Sequence, residues 1–85
     1  MADMGYIAYP KGLVEGSVWR ATVKRFRTPW LWVSIEGSAP LCMHKSELPP
    51  TESPESAVGR DVEVRVLKVD EIRRNVAVSF IQFLT

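Results

Sequence analysis

Apolar and polar residues alternate along this chain in short runs, and nowhere do apolar positions persist at i, i+3, i+4 and i+7. That pattern predicts strands and no long amphipathic helix. The first strand is expected from Val14 to Phe26, with Gly16 inside it marking a bend or bulge of the kind that helps a small sheet curl. After a turn at Arg27-Thr28-Pro29, the run Trp30-Leu31-Trp32-Val33-Ser34-Ile35 places Leu31, Val33 and Ile35 on one face and Trp30, Trp32 and Ser34 on the other. Aliphatic side chains suit the interior, so the two tryptophans are expected to face outward. Outward tryptophan is costly unless it covers or binds something.

Glu36-Gly37-Ser38 reads as a hairpin turn, Leu41-Cys42-Met43-His44 as a third strand, and Ser46-Glu47-Leu48 as the start of one helical turn. The proline-rich stretch from Pro49 to Ser56 is expected to be an exposed loop. Beyond Gly59, Val62, Val64 and Val66 alternate with Glu63, Arg65 and Leu67 in the clearest strand, which Val69 ends. A turn holding Glu71, Arg73 and Arg74 leads to the last strand, Val76 to Phe80. These elements predict an all-β fold: a five-stranded antiparallel Greek-key β-barrel of the oligonucleotide-binding (OB) type, with a short helical turn between strands three and four.

Composition narrows the class without changing it. The 85 residues have room for one domain with one small core. A hydrophobic fraction of 46% with 25% charged residues is that of an ordinary globular protein and excludes intrinsic disorder. Net charge is only +1, so no global cationic field exists. The distribution is two-sided, however: Arg20, Lys24, Arg25 and Arg27 follow one another without an acid, whereas Glu47, Glu52, Glu55, Asp61 and Glu63 stand against the single Arg60.

The order of short motifs adds a family. Gly16-Ser17-Val18, Trp32-Val33, His44-Lys45-Ser46-Glu47-Leu48, the segment Val58 to Asp70 and then Val76-Ala77-Val78-Ser79 together resemble the ribosomal S1-type RNA-binding domain, from about Leu13 to Phe80. The resemblance implies an OB barrel whose strands two and three carry aromatic residues that stack on bases. It places Trp32 at the family's second aromatic and His44 at the histidine opening its His-x-Ser motif. It divides the chain into an N-terminal arm, residues 1–12, and the RNA-binding domain, residues 13–85.

The chain departs from the family at three places. Pro29-Trp30 replaces an aromatic followed by glycine, which leaves Trp30 as a substitute platform or a rim residue. Leu41 stands where glycine is usual. Asn75 takes the position of a basic residue, with Arg73 and Arg74 just ahead of it as candidates for the phosphate contact.

Residue chemistry supports the implied role independently. Every base offers a π-face, so exposed indole or imidazole can grip a single strand at about 1–3 kcal/mol per stacked base, while Lys24, Arg25 and Arg27 at the rim would hold phosphates. The candidate RNA-binding residues are therefore Trp32, His44, Trp30, Lys24, Arg25, Arg27, Arg73 and Arg74. Trp19 is expected in the core or under the loop. The rival reading is a degenerate barrel that binds protein, with the tryptophans as interface anchors.

Enzyme readings lack parts. One histidine and one cysteine cannot complete a structural zinc site, and there is no glycine-rich phosphate loop. Cys42 and His44 would share a strand face as a nucleophile and base, but no orienting group or oxyanion donor accompanies them. No cofactor or metal is expected. A single cysteine implies no internal disulfide, and no apolar run reaches the roughly 20 residues needed to span a bilayer. The expected setting is intracellular and chiefly cytoplasmic, with nucleus or organelle left open. The expected partner is single-stranded RNA, in a ribosome or an RNA-processing complex and not at a membrane. Tyr6, Ile7 and Tyr9 at one end and Phe80, Ile81, Phe83 and Leu84 at the other exceed what free tails need. Docking on the barrel, dimerisation and membership of a larger chain all remain open for them.

Overall fold

The valine-rich alternation of the second half and the Trp-Leu-Trp-Val alternation of the first both resolve into strands whose inner faces meet. The computed structural model describes residues 9–36 and 38–85. Its strands are β1 (Val18–Arg27), β2 (Trp30–Ser34), β3 (Leu41–His44), β4 (Asp61–Asp70) and β5 (Asn75–Phe83). Between β3 and β4 lie a 3-10 turn, Lys45–Glu47, and a four-residue helix α1, Pro54–Ala57.

The strands follow a ring-like order, β1-β2-β3-β5-β4, and β4 pairs back onto β1. One expectation is corrected here. The sheet is not an antiparallel Greek-key barrel, because β3 and β5 run parallel and meet in the single register pair Cys42↔Ala77. The other four neighbouring pairs are antiparallel ladders. β3 is only four residues long, and it meets β5 at one bridge. The helical content also exceeds the single turn expected. Ser53 caps α1 by accepting from the Ser56 N–H, Pro54 occupies the first turn, and Ala57 is fully buried just beyond the proline-rich stretch, which itself stays exposed or half-buried but ends in this turn of helix.

The core follows from the pleat. Leu31 and Val33 on β2 stand opposite Met43 and Leu41 on β3, and all four are fully buried. Val62 and Val64 from β4, Val76 from β5, and Val23 from β1 complete the same interior, with Tyr9, Trp19, Phe26, Ile35, Val69, Phe80 and Phe83 packed against it. Trp19 thus flanks the core, and its indole N–H donates to Ser17 Oγ at 2.8 Å. Glu47, in the 3-10 turn, accepts from Ser79 Oγ at 3.0 Å and the Phe80 N–H at 3.4 Å, which ties that turn to β5. The C-terminal end is fastened by Arg60, whose guanidinium lies 3.6 Å over the Phe83 ring and donates to the Thr85 carbonyl.

Three register shifts shape the outer surface. Gly16 lies ahead of β1, in a turn with φ +86°, where a side chain would be strained; the strand itself begins at Val18. The bulge sits instead at Lys24, since Val23 pairs with Val33 and Arg25 with Trp32, which leaves Lys24 as the extra residue. Two further shifts fall in the β4-β5 ladder, one between Val66 and Lys68, at Leu67, and one between Glu63 and Val64, where Ile81 is the extra residue on β5. Of the arm expected at residues 1–12, residues 1–8, with Tyr6 and Ile7, lie outside the described residues, as does Gly37 of the expected hairpin turn.

Candidate nucleic-acid interface

Because β2 turns its aliphatic side chains inward, Trp30 and Trp32 stand on the outer face, as the alternation requires. Register then assembles their neighbours. Trp30 pairs with Arg27 on β1 and His44 on β3, and Trp32 pairs with Arg25 on β1 and Cys42 on β3. The outer face of three adjacent strands thus carries two rows, Arg27-Trp30-His44 and Arg25-Trp32-Cys42. Trp30 is 40% exposed and Trp32 is half-buried.

The bulge at Lys24 determines the sign of this surface. Strict alternation from Val23 would send Arg25 inward and Phe26 outward. The extra residue restores Phe26 to the core side and leaves Lys24, Arg25 and Arg27 all exposed beside the tryptophans. Among the described residues none of these three cations has a carboxylate within ion-pair distance. The fourth member of the basic run is committed elsewhere: Arg20 binds Asp61 at 3.0 Å, and Arg60 binds Glu52 at 3.2 Å. Two of the acids on the opposing side of the charge pattern are therefore neutralised within the fold.

His44 is held by the turn it begins. Its Nδ1 accepts from the Ser46 N–H at 3.1 Å and lies 2.9 Å from Ser46 Oγ, which leaves Nε2 to carry the ring proton. Its ring meets Trp30 edge to face, with centroids 5.2 Å apart and planes 86° apart. The connection between β1 and β2 is a two-residue turn, Thr28-Pro29, with a cis peptide, and the Pro29 carbonyl accepts from the Lys45 N–H. That bond joins the turn carrying Trp30 to the turn carrying His44.

Cys42 shares the outer face but is nearly enclosed. Its thiol donates to Asn75 Oδ1 at 3.3 Å, and burial pushes its pKa above the ordinary thiol value, only partly offset by a backbone hydrogen bond. Tyr9 lies nearby, its hydroxyl between the Pro40 carbonyl at 3.4 Å and the Arg74 carbonyl at 3.2 Å. Burial, and secondarily the neighbouring Cys42, raises its pKa.

Arg73 and Arg74 lie apart from the two rows, on the turn from β4 to β5. Arg73 sits 3.9 Å from Asp70 and its N–H donates to the same carboxylate, while Arg74 takes a left-handed φ of 55°. Asn75 links this turn to the face through Cys42. The structure therefore brings Trp30, Trp32, His44, Lys24, Arg25 and Arg27 together and puts Arg73 and Arg74 at a margin.

Lys68 joins that margin, lining a shallow depression of about 170 Å³ with Asp70, Arg73, Asn75 and Ala77. Lys68 is not among the residues the sequence singles out, although the three-residue step from Val66 to Val69 marks the bulge that turns it outward. A larger cleft of about 280 Å³ lies beside Trp32, lined also by Lys24, Arg25, Ser34 and Pro40. Among the described residues no cluster of three or more histidine, cysteine or acidic side chains could hold a metal ion, and no helix is long and apolar enough to cross a membrane.

No protein-family profile matches the chain, and no curated protein does. Solved structures do. A chain of the a/eIF2alpha–aDim2p–rRNA complex from Pyrococcus horikoshii is 26% identical over 85% of this chain, with a TM-score of 0.66, and this chain spans only 45% of its length. The uncharacterized protein MJ1198 from Methanocaldococcus jannaschii is 13% identical, with a TM-score of 0.67 over 79% of this chain and 90% of its own. A multidomain protein with nucleic acid binding domains from Streptococcus pneumoniae is 23% identical, with a TM-score of 0.67 over 89% of this chain and 25% of its own. The chain is a small β-sheet domain structurally related to the OB and eIF2alpha-like folds.

Proposed function

We propose that this chain is an S1-type module, with its binding domain at residues 13–85, that holds single-stranded RNA by stacking bases on Trp30, Trp32 and His44 and pairing phosphates with Lys24, Arg25 and Arg27. One observation carries the reading: the β1-β2-β3 register sets the two tryptophans, the histidine and the arginines in adjacent rows on a single outer face. Stacking surface supplies sequence-tolerant grip, and cations beside it supply the salt-dependent share. The similar Pyrococcus chain was solved in a complex with rRNA, which supports RNA as the partner class and translation or RNA processing as the setting. Arg73, Arg74 and Lys68 would meet the strand only where it leaves the tryptophan face.

The module is non-catalytic. Cys42 and His44 do share a face, but His44 Nδ1 is engaged by Ser46 and the Cys42 thiol is held protonated against Asn75, so neither serves the other as base or nucleophile.

The test is a titration of labelled oligouridylate of about eight nucleotides, within the usual site size of one such domain, at about 50 and about 200 mM salt. Three phosphate contacts predict a loss of roughly fifteen- to twentyfold in affinity between the two salts. Absence of binding at the lower salt removes the proposal and leaves the tryptophans as protein-interface anchors.

A further inference from the structure

The cleft beside Trp32 has a composition that the two stacking rows do not account for. It is lined by Trp32 and Ser34 on β2, Pro40 from the loop before β3, and Lys24 and Arg25 on β1. At about 280 Å³ it sits just below the range of about 300–1,000 Å³ that encloses drug-sized ligands, so it suits one planar ring system. No acid lines it. Other depressions differ in this respect: Arg20 and Asp61 neutralise each other in one, and Asp70 stands against Arg73 in another.

We infer that this cleft seats a single nucleobase of the bound strand between Trp32 and Pro40, with the adjoining phosphate on Lys24 and Arg25 and the base edge facing Ser34. The inference rests on the RNA reading above and adds a discrete base subsite, on the β2-β3 loop side of Trp32 and away from the Trp30-His44 pair. The occupant follows from the mixture of walls. An apolar peptide side chain would gain from Trp32 and Pro40 but nothing from the two cations, and a bare phosphate would gain from the cations but waste the apolar walls. A nucleotide uses both.

Ser34 is suited to the edge of a base because, among the described residues, its hydroxyl is weakly used, reaching the Ile35 carbonyl at 3.4 Å. Arg25 joins Lys24 at the cleft because of the bulge, which puts both on the same side of β1. The device that spares Phe26 from solvent thus also builds the charged edge of the subsite.

The experiment titrates isotope-labelled protein with the same oligouridylate and with oligoadenylate, following the amides of Lys24 and Ser34 and the indole N–H groups of Trp30 and Trp32. Ser34→Leu fills the cleft and Pro40→Ala removes one wall without touching a strand. The expected result is that RNA shifts the Lys24, Ser34 and Trp32 signals together, and that each variant binds about fivefold or more weakly while Trp30 still responds. If wild type binds RNA and shifts Trp30 while Ser34 and Lys24 stay still and Pro40→Ala binds as wild type, the subsite is overturned and the RNA reading stands. If no signal moves at low salt, the RNA reading itself falls, and the subsite with it.

Discussion

Trp30 stands directly opposite His44 in the register of β2 and β3, and their rings meet edge to face at 5.2 Å. Opposed residues of this kind form one surface, so their removal should be coupled. Trp30→Ala and Trp32→Ala are each expected to cost about 1–3 kcal/mol in RNA affinity, or about five- to 150-fold. His44→Ala should cost less in the Trp30→Ala background than in wild type, because the imidazole edge then has no indole face to rest on. Fluorescence anisotropy on the four proteins of that cycle measures the coupling. Independent, additive losses would mean that the two rings contact different parts of the strand.

The exposed cations should act through the salt dependence. Arg25→Ala and Arg27→Ala are each expected to weaken binding to all sequences alike and to flatten the slope of log affinity against log salt by about 0.7. Arg20→Ala should leave that slope unchanged, since its guanidinium is committed to Asp61. An Arg20→Ala slope as shallow as that of Arg25→Ala would place the phosphate path on the wrong part of β1.

Much of this surface could be read from the residues, and the parts that could not have a common cause. The alternation through Trp30 to Ile35 fixed which β2 side chains face outward, because period-two patterning permits only two registers and one of them exposes the aliphatics. The place of Trp30 beside His44 was less legible, because it depends on a pairing between strands. Lys24, Arg25 and Arg27 could be picked as a basic run, but their common face depends on a bulge that strict alternation hides. The signal was present in the three-residue step from Val23 to Phe26, and again from Val66 to Val69. Gly16 drew the expected bend to the wrong place because its positive φ serves a turn ahead of the strand. The parallel meeting of β3 and β5 at Cys42 and Ala77 leaves no local trace at all, and the antiparallel expectation failed there.

Asp61 gives the fold a defined acid sensitivity. It accepts from Thr22 Oγ1 at 2.7 Å and from Arg20 at 3.0 Å, and these hydrogen bonds, chiefly that from Thr22, with Arg20 and then Lys24 acting at longer range, hold its pKa below the ordinary 3.8. A carboxyl whose folded pKa is depressed stabilises the fold fully above the unfolded value and loses that contribution as pH falls through the folded one. Urea midpoints should therefore show wild type more stable than Asp61→Asn at neutral pH, with the gap constant down to about pH 5 and closing below about pH 4. A gap that persists undiminished at the acid end would show that the charge on Asp61 contributes nothing.

Cys42 offers a probe of the same face that needs no substitution. The residue is 5% exposed and stands opposite Trp32 in the register, and its thiol is bonded to Asn75 and shifted by burial toward the protonated form. Since only the thiolate attacks a disulfide reagent, Cys42 in the folded protein is expected to react with a chromogenic aromatic disulfide at pH 8 far more slowly than in urea-unfolded protein. Asn75→Ala removes the acceptor and loosens the cover, and should raise the folded-state rate. Bound oligouridylate, lying over Trp32, should lower it further in wild type. Rapid folded-state labelling that RNA leaves unchanged would mean that Cys42 is not sealed beneath the Trp32 row and that the strand crosses elsewhere.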